Sequence, residues 1–220
     1  MKYLFWIMLC LGSLLAPSAC KKDAGVVYPE APRDFTGEYY FRGTLKNLTG
    51  PQTQSASFNQ VFASPYDIWS QTTAFPGQRL VLSNTLNTTS GRLDMDIYGP
   101  ISPENDPNYF LWPLGTLDSV FWVGQKLRFG KGARETTLSF RDSSVPFIDP
   151  NLGCWSTPAH LDNSDSFLEI TALEDLRPYV DSDSWVKKMN FRVKCRLGHL
   201  SGFPEDVFEM EGEGAILLWP

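Results

Sequence analysis

The chain is 220 residues long, carries 19 Lys and Arg against 25 Asp and Glu, and has a net charge of −6. With 42% hydrophobic and 14% aromatic residues it can bury a core, which excludes a disordered chain. The acidic balance, with no unbalanced basic patch expected, argues against a nucleic-acid partner.

In chain order, Met1–Ala19 comes first. Lys2 gives a positive start, an apolar run follows from Tyr3 to Leu15, and Ala16-Pro17-Ser18-Ala19 precedes Cys20. That layout predicts a secretory signal peptide over residues 1–19. The apolar run is shorter than the ~20 residues needed to cross a bilayer, and Pro17 breaks a helix near its end. A cysteine directly after small residues resembles the lipobox of bacterial lipoproteins. The resemblance implies a lipidated Cys20 as mature N-terminus, and residues 20–33 as lipidated cysteine and flexible tether. Lys21-Lys22-Asp23 is similar to the short charged tag of Bacteroidota surface lipoproteins. The expected location is therefore the bacterial outer membrane, lipid-anchored and facing the cell surface.

Residues 34–220 read as a single antiparallel β domain. Period-two alternation recurs and helical periodicity is scarce. The predicted strands are Gly37–Leu45, Ser55–Phe62, Gln78–Thr85, Gly91–Tyr98, Val120–Phe129, Glu135–Arg141, Ser166–Leu173, Val186–Leu197 and Val207–Leu218. A short helix or turn is expected at Leu173–Tyr179. Gly, Pro, Asn, Asp and Ser fill the gaps as turns require. No βαβ unit is present, so a parallel sheet is not expected. The fold class is all-β: an antiparallel β-sandwich of jelly-roll type, with a closed lipocalin-like barrel as the alternative.

Two hairpins can be registered residue by residue. Met189, Phe191, Val193, Cys195 and Leu197 alternate with basic or polar residues, and Phe208, Met210, Ile216 and Leu218 alternate with Glu209, Glu211 and Glu213. Setting Arg196 opposite Glu209 places Lys194 opposite Glu211, Arg192 opposite Glu213 and Cys195 opposite Met210. A slip by one residue would bury charge. In the other hairpin, Leu82 is expected opposite Leu93, Leu80 opposite Met95 and Arg79 opposite Asp96, around Asn87-Thr88-Thr89-Ser90.

The early strand Glu38–Leu45, Ser166–Leu173, and the closing segments Phe191–Cys195 and Phe208–Gly214 together resemble small Bacteroidota surface lipoproteins with a β-rich domain of unknown function. The resemblance implies a compact β domain at the cell surface and supplies no catalytic residue.

Chemistry is sparse. Glu209, Glu211 and Glu213 share one strand face at about 6.6 Å spacing, close to the ~5–5.5 Å between the carboxyls of retaining glycosidases. The spacing is similar to the acidic strand of laminarinase-like glucanases, E-x-D-x-E, with Glu here in the middle. The basic ladder of Arg192, Lys194 and Arg196 accounts for the same glutamates as cross-strand pairs. Cys154 and Cys195 remain in an oxidising compartment and are expected to form a disulfide, with two buried core thiols as the other reading. His160 lies in a polar loop, Pro158–Asp165, without the Gly and distant Glu of an EF-hand. His199 is expected in an exposed hairpin turn. No metal or cofactor is expected. Trp69, Trp112, Trp155 and Tyr109 fall in predicted loops beside amides and carboxylates, where sugars can stack. The expected function is thus a ligand-binding module for a glycan or an envelope partner protein, tethered to the membrane by its N-terminal lipid. The alternatives are a glycoside hydrolase using Glu209, Glu211 and Glu213, and a structural subunit of an envelope complex.

Overall fold

The computed structural model describes residues 39–49, 54–62, 68–73, 79–101, 118, 121–148, 153–156, 161–176, 186–199 and 206–218, with 68–73 described as backbone. The expected signal peptide over Met1–Ala19, Cys20 and the expected tether over residues 20–33 lie outside the described residues. The elements given by the described residues are strands: β1 (Tyr39–Asn47), β2 (Gln54–Phe62), β3 (Ile68–Thr73), β4 (Arg79–Asn87), β5 (Gly91–Ile101), β6 (Lys126–Phe129), β7 (Glu135–Asp142), β8 (Cys154–Trp155), β9 (Phe167–Asp175), β10 (Lys187–Gly198) and β11 (Val207–Leu218). The protein is all-β, as the alternation predicts.

One continuous sheet runs β2-β1-β11-β10-β9-β6-β7-β5-β4-β3, and β8 pairs with both β10 and β7. The strands β7, β8, β10, β9 and β6 therefore close a hydrogen-bonded ring, a barrel-like feature. The two ends of the sheet fold toward each other like the halves of a sandwich. Phe58 of β2 meets Phe140 of β7 at 4.6 Å between ring centroids, and β11 lies against β3 and β4. One neighbouring pair, β6 with β7, is parallel (Arg128 opposite Glu135, Phe129 opposite Thr136), which alternation alone does not predict.

The C-terminal hairpin has the predicted register throughout. Arg196 faces Glu209, Cys195 faces Met210, Lys194 faces Glu211 and Arg192 faces Glu213. The β4–β5 hairpin does not. Leu82 faces Ile97, Leu86 faces Leu93 and Ser83 faces Asp96, while Arg79 lies opposite Ile101 beyond a bulge. The turn is centred on Thr89-Ser90, because Thr88 N–H donates to Gly91 O at 2.8 Å and Gly91 N–H donates to the Thr88 hydroxyl at 2.8 Å. The predicted and observed registers differ by an even number of residues, so both keep Leu82, Leu86 and Leu93 on the buried face. Alternation cannot tell them apart.

Other differences have local causes. Within the predicted Val120–Phe129, the described residues 121–125 make a turn and the strand begins at Lys126, because Gly124 takes φ 87° and turns the chain. Leu173–Asp175 continue β9 rather than starting a helix. Strands β3 and β8 were not predicted. Ile68–Thr73 is mostly polar, and Cys154–Trp155 is too short to alternate.

The core is held by rings that close over a glycine. Phe41 and Phe191 both lie opposite Gly214 of β11, from its two sides. Without a side chain between them they stack at 5.9 Å between centroids. A Cβ on Gly214 would lie 2.7 Å from Phe191 Cζ and from Tyr40 O. Phe140 joins the edge of Phe41 at 5.9 Å, tying the two halves of the sheet. Gln60 of β2 adds a polar tie, donating to Arg141 O at 3.1 Å and to Asp142 Oδ2 at 2.9 Å. Asn84 points inward in line with Leu82 and Leu86, 1% exposed, and neither polar atom of its amide has a hydrogen-bond partner.

Candidate functional site

The outward residues of β1, β11, β10, β9 and β6 make a charge lattice. Across one row Arg42 lies opposite Glu213, Glu213 opposite Arg192, Arg192 opposite Glu169, and Glu169 opposite Lys126. The sign alternates at every strand. Arg42 binds Glu213 at 2.5 Å, and Arg192 turns to Glu169 at 2.9 Å rather than to Glu213. In the next row Lys194 binds Glu211 at 2.5 Å. The hydrogen bond to Glu211, then the charges of Glu211 and Glu209, raise the Lys194 ammonium above its ordinary pKa. Glu209, Glu211 and Glu213 therefore do share one solvent face, as a ladder within a basic lattice. Exposed pairs of this kind are screened by water and contribute little to stability. A shallow groove of about 620 Å³ crosses the lattice, floored by Gly43 and Gly212 and walled by Arg42, Asn59, Arg192 and Glu213.

The bridge expected between Cys154 and Cys195 is not formed; both are free, buried thiols. Register explains why. Trp155 lies opposite Gly198, which sets Cys154 opposite His199, four positions along β10 from Cys195. At about 3.3 Å per residue their Cα atoms are roughly 13 Å apart, beyond the ~7 Å a disulfide tolerates.

His199 is also not exposed as expected but 7% exposed. Its Nδ1–H donates to Gly153 O at 2.8 Å, and its ring meets the Phe208 ring edge-on at 5.5 Å. Its Nε2 lies 3.7 Å from Asp206 Oδ2. Cys154, His199 and Asp206 thus converge, but as structure. Burial first, then the Asp206 charge, push the Cys154 thiol up to about 12, and a nucleophile must be a thiolate.

The polar loop before β9 serves the sheet. Asn163 donates to Ser156 O and to Arg196 O, each at 3.1 Å, and accepts from Arg196 N–H at 2.7 Å. Its amide fills the gap on β10 between the β9 and β8 pairings. Asp162 accepts from Ser164 side chain and backbone, which lowers its carboxyl pKa. His160 lies outside the described residues. Among the described residues no group of three His, Cys, Asp or Glu could hold a metal ion.

Of the predicted aromatic residues, Trp112 and Tyr109 lie outside the described residues, and Trp69 falls on β3, described as backbone. Trp155 sits in a strand, half-buried between β7 and β10. Among the described residues the exposed tryptophan ring is Trp122, which the alternation assigns to a strand. It opens a tight turn in which Gln125 N–H donates to Trp122 O at 3.2 Å and Trp122 N–H donates to Gln125 Oε1 at 3.3 Å. Gly124, at φ 87°, takes the position that a type II turn reserves for glycine. Gly124 N–H donates to Ile170 O at 2.7 Å and Ile170 N–H donates to Gln125 O at 2.9 Å, welding the turn to β9. Phe121 and Gln125 are buried on either side, leaving Trp122 44% and Val123 58% exposed.

Arg134 stacks its guanidinium over the Trp122 ring, 5.4 Å from the centroid. Its backbone is left-handed, φ 61°, the one non-glycine with positive φ among the described residues, and its N–H donates to Tyr98 O at 2.8 Å. The signal missed in the sequence is local charge: Phe121–Arg134 holds Lys126, Arg128, Lys131 and Arg134 and no acid, a basic stretch inside an acidic chain.

No protein-family model, curated protein or solved structure matches this chain.

Proposed function

We propose that the protein is a lipid-anchored, envelope-facing module that binds glycans, with Trp122 and Arg134 as the contact surface. The carrying observation is a tryptophan ring left exposed on a turn pinned by four backbone and side-chain hydrogen bonds and flanked by a guanidinium. Tryptophan offers a large apolar face at small entropic cost when it is already rigid, and a sugar ring presents a matching C–H face with hydroxyls at its rim. The anchor is Cys20, on the lipobox-like Ala16–Cys20 segment. More than one acyl chain is needed for stable attachment, and a triacylated cysteine meets that need.

The test is a glycan-array screen of the whole chain in mild detergent, run beside Trp122→Ala. The expected result is saturable binding to a defined set of sugars that Trp122→Ala abolishes. A blank array from a folded sample, or binding unchanged in Trp122→Ala, refutes the reading. Hydrolysis of a bound glycan, lost in Glu209→Gln, would replace it with the glycosidase reading.

A further inference from the structure

We infer that the sugar this surface selects is acidic: a uronic acid or a sulfated residue whose ring stacks on Trp122 while its anion meets Arg134. The inference rests on the reading of Trp122 as a sugar-stacking surface and adds the charge of the ligand.

Three observations carry it. The first is charge. The segment from Phe121 to Arg134 holds four cations and no carboxylate, and among the described residues none of the four is in an ion pair. The nearest acids in register are occupied elsewhere. Glu169, opposite Lys126, binds Arg192 at 2.9 Å. Glu135, opposite Arg128, turns its carboxylate to the Gly132 N–H. This contrasts with the lattice on β1, β11 and β10, where Arg42, Arg192 and Lys194 each bind a carboxylate.

The second is pre-organisation. The Arg134 guanidinium is already laid on the ring it would share with the ligand. A planar guanidinium placed beside the ring presents the fork that donates two parallel hydrogen bonds to a carboxylate or sulfate.

The third is backbone conformation. An arginine with φ 61° occupies a region that disfavours any side chain beyond glycine and, to a lesser degree, Asn or Asp. Lys131 and Arg134 flank Gly132 in a five-residue connection between the parallel strands β6 and β7. Glycine would satisfy the backbone at position 134 better, so the arginine stands there against local preference. Strain of this kind points to a role for the group that bears it.

The experiment separates the inference from the reading beneath it. The whole chain in detergent is titrated with polygalacturonate and with its fully methyl-esterified form, which has the same backbone without the charge, and with dextran sulfate against dextran. Wild type should bind each acidic polymer at least tenfold more tightly than its neutral twin. Arg134→Gly should erase most of that preference while its unfolding midpoint stays at or above wild type, because glycine suits the backbone. Trp122→Ala should lose binding to acidic and neutral polymers alike. Equal affinity for charged and neutral twins would overturn the acidic selection and leave the glycan reading standing. A preference that survives in Arg134→Gly would overturn the role of Arg134. Acidic binding untouched by Trp122→Ala would reduce the site to bulk charge and overturn both.

Discussion

Gly214→Ala should destabilise the protein, against the usual trend for a strand. Alanine in place of a strand glycine ordinarily gains about 0.5–1 kcal/mol through the unfolded chain. At Gly214 the added methyl would sit 2.7 Å from Phe191 Cζ and 2.7 Å from Tyr40 O. The carbonyl belongs to the sheet ladder and cannot move freely, and the Phe191 ring is stacked on Phe41 and 1% exposed. Overpacking of this kind costs about 1–3 kcal/mol, so the net loss should be about 1–2 kcal/mol. Urea unfolding followed by near-UV circular dichroism would read it as a drop in midpoint of roughly 0.5–1 M for a typical slope. Phe191→Leu in the same background should recover part of the loss, giving a coupling energy above about 0.5 kcal/mol in a double-mutant cycle. A Gly214→Ala variant as stable as wild type would refute the claim that the two rings close over that glycine.

Asn84→Leu should stabilise by about 1–3 kcal/mol, since the buried amide has no hydrogen-bond partner and leucine suits its neighbours Leu82 and Leu86; a lower unfolding midpoint would show that the amide is satisfied in solution. Asn163→Ala should cost about 2–4 kcal/mol by stranding Ser156 O and both backbone groups of Arg196, measured by denaturant unfolding, with a loss under 0.5 kcal/mol contradicting the staple. The Cys154 thiol, normally near 9.0, is pushed up to about 12, and the Tyr39 phenol rises from 10.0 to about 12, both chiefly by burial. Each group is favoured protonated in the fold. The stability it contributes is full below its unfolded pKa and is lost as pH rises through about 12, starting from about 9 for Cys154 and about 10 for Tyr39. Cys154→Ala should flatten the thiol's share of that alkaline decline, and an unchanged pH profile would show that the group does not contribute.

The C-terminal hairpin was legible because both faces constrain it. Charge on Arg192, Lys194 and Arg196 and apolarity at Phe191, Val193 and Cys195 admit one register against β11. The β4–β5 hairpin carries its information on one face, so parity was readable and register was not; the hydroxyl of Thr88 and the bare Gly91 decide it. Ring closure through the two residues of β8, and the parallel β6–β7 pair, are long-range facts with no local pattern. The disulfide expectation rested on cysteine count and compartment, which carry no distance. The acidic triplet and its basic partners were readable as a ladder, although the choice of Glu169 by Arg192 needed β9 in place. Trp122 was hidden inside an apparently alternating stretch, and Gly124 was the residue that could have shown a turn there. The basic run ending at Arg134 was visible in the sequence and was averaged away by the overall acidity.

The central claim, that the exposed Trp122 ring is the ligand-contact surface, is tested most directly by fluorescence. The chain has seven tryptophans, so wild type and Trp122→Phe must be titrated in parallel with the oligosaccharide that binds best on the array. The account predicts a saturable change in wild-type emission, and in Trp122→Phe both a smaller change and weaker binding by calorimetry. An identical emission change and affinity in the two proteins would contradict it.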